Sequence, residues 1–167
     1  PGRVVMTQGE ISSQYDTTID SFVSGADLIL EVVGDVYVKS GLDIWLQKMG
    51  LDVPVMFMAD INLPVAGINL PSKGNHFNQQ ISSERLQKMA DRKSGVHPLS
   101  LVTEMIGEDL PLDHVLQFSL MKQGLMPYWS QLPESSRELA TLSVYLIEAY
   151  LDGREILGKN FNIKTVP

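Results

Sequence analysis

The chain has 167 residues, 44% hydrophobic and 20% charged, a size and balance that fit one globular domain and exclude a natively disordered chain. Its 20 acidic and 13 basic residues leave a net charge of −7, which disfavours tracking a nucleic-acid backbone. With no cysteine, disulfide frameworks, thiolate metal sites and cysteine nucleophiles are ruled out.

At the start, Arg3 precedes only three apolar residues before Thr7 and Gln8, which is not the pattern of a secretory leader. No apolar run approaches the ~18 residues of a membrane span. The expectation is a cytoplasmic protein without membrane insertion. Val4, Val5 and Met6 suit a short strand, and Ile19, Phe22 and Val23 have helical spacing within a polar stretch. Next come two β-branched runs, 28–33 and 36–39, around Gly34 and Asp35, which predict a hairpin. The competing reading is one helix over 20–49. It would carry Gly25, Gly34 and Gly41 at about 1 kcal/mol each relative to Ala, so the hairpin is preferred. Leu42, Trp45, Leu46 and Met49 share a helical face that Gly50 should end. Residues 53–59 are apolar apart from Pro54 near the start and predict a buried strand that Asp60 terminates.

A seven-residue unit then occurs twice in succession, Ile61-Asn62-Leu63-Pro64-Val65-Ala66-Gly67 and Ile68-Asn69-Leu70-Pro71-Ser72-Lys73-Gly74. Each copy sets Pro three residues before Gly, the spacing of a type I turn. Two turns in series describe an ordered arm occupying most of a long loop over 60–80.

From Ser82 onward the pattern is helical. Ser82 or Ser83 can cap a helix through Leu86, Met89 and Ala90 that stops near Gly95. Pro98 and Pro111 suit first-turn positions of helices ending at Gly107 and Gly124. Ser135 and Glu138 form a capping box for the strongest helix, 136–152, with Gly153 as its stop. That helix carries two apolar stripes, one of Leu139, Leu142, Leu146 and Tyr150 and one of Val144, Ile147 and Leu151, so it belongs inside a bundle or at an interface. The tail 161–166 alternates like an edge strand.

The fold class read from this order is α+β: a small mixed N-terminal sheet packed against a C-terminal bundle of about four helices. The whole chain, 1–167, is taken as one domain, with a subdomain division between 1–81 and 82–167.

Catalytic signals are sparse. There is no nucleophile elbow, phosphate loop or dinucleotide fingerprint. His76, His97 and His114 are too scattered for a metal cluster by spacing; a zinc site from His76, His114 and Asp60 would have to assemble in space, and solvated or capping histidines account for them more simply. No metal or cofactor is expected. The leading function is therefore non-enzymatic: an interaction or assembly protein whose partner is another protein or a second copy of itself. Ile61, Leu63, Ile68 and Leu70 of the repeat arm are its expected contact residues, joined by Met126, Tyr128 and Trp129 of an apolar, aromatic connection. The alternative is an enzyme or small-molecule binder with a pocket under the 60–80 loop, using Asp60, Asn62 and His76 as polar groups.

Overall fold

The computed structural model describes residues 23, 25–33, 36–60, 64–74, 81–91 and 133–162, together with 93, 95, 104, 117, 119–121 and 123–125. Along the chain run β1 (Ile29–Glu31), α1 (Val36–Met49), β2 (Val55–Asp60), β3 (Pro64–Asn69), a 3-10 turn (Pro71–Lys73), α2 (Ser83–Ala90), α3 (Pro133–Leu151) and β4 (Asn160–Asn162). The expectations for 4–6, for most of the helix over 98–107 and of the helix before Gly124, and for the 126–129 connection lie outside the described residues.

The four strands form one sheet in the order β1-β2-β3-β4. β1 and β2 are parallel, with α1 as the crossover between them, whereas β2–β3 and β3–β4 are antiparallel. The protein is of the α+β class, with a mixed sheet. Helices cover both sides of it. Met56, Ala66, Ile68 and Phe161 pack against Leu142, Leu146 and Ala149 of α3. On the opposite side Val55 meets Val23, Leu42 and Leu46, with Ile29, Trp45 and Leu51 around them, and α2 packs against α1. The C-terminal β4 completes the sheet on the strand contributed by the repeat, joining the two halves of the chain.

Two expectations are corrected. The second arm of the 28–39 hairpin is the first turn of α1. Val36, Lys39, Ser40, Asp43 and Leu46 are all buried, which is a helical row. Three of those five are polar, so hydrophobic patterning could not reveal it; burial of the row outweighs the cost of Gly41.

The tandem repeat is not an arm of two equivalent turns. The first Pro-x-x-Gly, Pro64 to Gly67, lies within β3, buried along its whole length. Only the second bends, as the 3-10 turn, which Gly74 closes with a left-handed φ of 74°. Pairing with β2 over six residues and with β4 over three supplies the hydrogen bonds that a solvated turn would forgo.

Other local signals are met. Ser82 caps α2, its side chain accepting the Arg85 N–H at 3.2 Å. Gly50 ends α1: the Gly50 N–H bonds the Gln47 carbonyl and the Leu51 N–H the Leu46 carbonyl, the paired closure of a Schellman motif. The same pattern ends α3 at Gly153 and recurs at Gly124. At its start α3 begins two residues before the expected Ser135 cap. Pro133, with fixed φ and no N–H, opens it instead.

Candidate functional site

β1 alternates so that Ile29 and Glu31 face α1 while Leu30 faces the α3 side, where its register partner Met56 lies. Glu31 ends this strand beneath the N-terminal half of α1, which sets Lys39, Ser40 and Asp43 inward. All four are buried, Glu31 and Lys39 at 5% exposure and Asp43 at 1%. The Lys39 ammonium donates to Glu31 Oε2 and, at 3.0 Å, to the main-chain carbonyl of Met58 on β2. The other Glu31 oxygen accepts the Val33 N–H at 2.7 Å. Thus one cation ties together the helix, the end of β1 and the end of β2.

The electrostatics follow from burial. Loss of solvent pushes the Glu31 carboxyl above its ordinary 4.5, with Lys39 pulling it back and Asp43 adding to the rise. Loss of solvent likewise pulls the Lys39 ammonium below its ordinary 10.5, against the opposing charges of Glu31 and Asp43. For each group desolvation outweighs the attraction, so the pair fixes geometry at a cost in stability.

At the same carboxyl end of β2, Asp60 Oδ2 accepts a 2.9 Å bond from Ser136 in the first turn of α3. Ser143, further along, donates to the Leu139 carbonyl at 2.8 Å and lies 3.0 Å from the Met58 sulfur. The carboxyl ends of the parallel strands, the end of an α/β unit at which ligands are usually held, therefore carry Glu31 and Lys39 on the α1 side and Asp60 on the α3 side.

Of the residues singled out from sequence, Asp60 sits at that end, while Asn62 and His76 lie outside the described residues, as do His97 and His114. Ile68 is fully buried in the α3-side core, so it packs the fold rather than offering a contact surface. Leu70 is half-buried where β3 leads into the 3-10 turn. Ile61, Leu63, Met126, Tyr128 and Trp129 lie outside the described residues. Sequence reasoning missed Glu31, Lys39 and Asp43. Their signal was present: Lys39 and Asp43 stand four residues apart on the row set by Val36 and Leu46.

Among the described residues no three His, Asp or Glu side chains converge in a way that would hold a metal ion. No described helix is long and apolar enough to cross a membrane.

Among the described residues the exposed large apolar side chains are Leu30, Val32, Met49, Leu125, Val144 and Leu151. On α3, Val144 is 57% and Leu151 75% exposed, seven residues apart on the outer face, with Thr141 and Glu148 beside them. Leu30, on the same side of the sheet, is 52% exposed because α3 covers β2, β3 and β4 and leaves the β1 margin open; Val32 follows it. No family model matches the chain, and no curated protein or solved structure matches it either.

Proposed function

We propose that this protein is a self-associating assembly module that docks a second copy of itself through the outer face of α3 and the neighbouring β1 margin. The observation that carries the reading is the division of labour on α3. Leu142, Leu146 and Ala149 close the core while Val144 and Leu151 remain in solvent. An exposed apolar row bordered by polar residues has the composition of an interface centre and its rim. This moves the contact surface from the repeat, where Ile68 is consumed by the core, to the second stripe of the helix.

The absence of cysteine makes the test simple, because one introduced thiol is unique. Leu151→Cys treated with a short bis-maleimide cross-linker should give a covalent dimer. Gln87→Cys, exposed on α2 across the sheet, should stay monomeric. Equal yields from both variants, or no dimer from either, defeat the proposal.

A second reading, a small-molecule site at the carboxyl end of β2, is favoured by Asp60, which the Ser136 hydroxyl holds there. It requires a ligand that raises the unfolding temperature of the wild type and not of Asp60→Ala.

A further inference from the structure

The second copy of the repeat contributes Asn69, the last residue of β3, and its side chain is in an unusual position. The residue is fully buried, and among the described residues neither the amide nitrogen nor the amide oxygen has a hydrogen-bond partner. Its side is fixed by pairing. Ala66 and Ile68 point into the α3-side core, so Asn69 points the other way, and its register partner is Val55, a member of the apolar α1-side cluster with Leu42 and Leu46. The strand cannot slip to relieve this, since a one-residue shift would turn Ile68 out of the core. Nor is the neighbourhood short of small residues, because buried Gly158 donates its N–H to the carbonyl of adjacent Ile68.

A carboxamide placed in an apolar layer with both ends unmatched is among the costliest arrangements a core can hold. An apolar residue of similar size would serve packing better. We infer that Asn69 is a binding residue: its amide grips one small neutral molecule that offers an acceptor to Nδ2 and a donor to Oδ1. Water meets that description, and so does a small alcohol or amide. A charged ligand fits less well, because an ion brought to a fully buried amide loses its hydration. The inference is independent of the docking surface, which lies on the other side of the sheet.

Two measurements on the intact chain test it. In 15N-labelled protein, the Asn69 side-chain NH2, assigned by its loss in Asn69→Leu, should show a cross-relaxation peak to long-lived bound water. If the occupant is instead a retained metabolite, native mass spectrometry should show an added mass on the wild type that Asn69→Leu lacks. In either case Asn69→Leu should lower the unfolding midpoint by roughly 3 °C or more, since a matched amide has been lost. A higher midpoint for Asn69→Leu overturns the inference. So does the absence of both the water peak and the added mass, whichever way the midpoint moves.

Discussion

Lys39 illustrates how a single side chain can organise a fold at a net cost. Its ammonium is held by Glu31 and the Met58 carbonyl, all within the layer between α1 and the sheet. Lys39→Met leaves the Glu31 charge buried without its cation and should destabilise by about 3–5 kcal/mol. Glu31→Leu combined with Lys39→Met removes both charges and should be neutral or stabilising, as read from urea unfolding. The pH dependence has a definite sign. Glu31 binds its proton more tightly folded than unfolded, so its contribution is full below 4.5 and is lost as pH rises through its folded value. Lys39 behaves oppositely: its contribution is full above 10.5 and is lost as pH falls through its lowered folded value. The stability of the wild type relative to the double variant should therefore fall as pH is raised from 4.5 through the acid range. A rise there would show that attraction, not desolvation, dominates the pair. Gly67 makes a steric demand instead. A Cβ there would lie 2.5 Å from the Lys159 carbonyl oxygen and 2.7 Å from the Phe57 ring. Gly67→Ala should cost about 1–3 kcal/mol by overpacking. Phe57→Leu should not restore the loss, because the closer obstacle is backbone.

Among the elements, the helix ends are where local chemistry decides. Gly153 sits at φ 74° and closes α3 with bonds to the Tyr150 carbonyl and, through Arg154, to that of Ala149. Gly153→Ala should lower stability by about 1 kcal/mol. Gly25→Ala, where an added Cβ meets nothing within 4 Å, should stay within about 0.5 kcal/mol. Comparable denaturation midpoints for the two would refute the left-handed cap as the cause. These closures were legible in the sequence because a helix stop is a short-range event; Gly50, Gly124, Gly153 and the Ser82 cap were all readable, as was β2 from its apolar run. The start of α1 was not. Its buried row contains Lys39, Ser40 and Asp43, whose burial depends on Glu31 and on the Met58 carbonyl from other strands. The repeat misled for a related reason. Pro-x-x-Gly is a turn signal in isolation, but Pro64 takes the first position of β3, and Gly67 is needed flat so that Phe57 and Lys159 can approach.

For the molecule as a whole, the two sides of the sheet differ in how completely they use their apolar surface. On the α1 side Val55, Leu42 and Leu46 are buried together with the polar Glu31, Lys39, Ser40, Asp43 and Asn69, and Met49 at the helix end is exposed. The α3 side is closed at the centre by Leu142 and Leu146, yet leaves Val144, Leu151 and Leu30 in solvent. The functional reading rests on this asymmetry, which sequence alone showed only in part. The two stripes of the last helix were visible, whereas which stripe faced the core depended on Met56, Ala66, Ile68 and Phe161 arriving on one side of a sheet. Sedimentation velocity of the wild type beside Val144→Glu combined with Leu151→Glu tests the reading most directly. Self-association through α3 predicts that the wild type sediments faster with increasing concentration, while the double variant remains a monomer with unchanged circular dichroism. A wild type that stays monomeric at the highest attainable concentration, or a double variant that associates equally well, would contradict it.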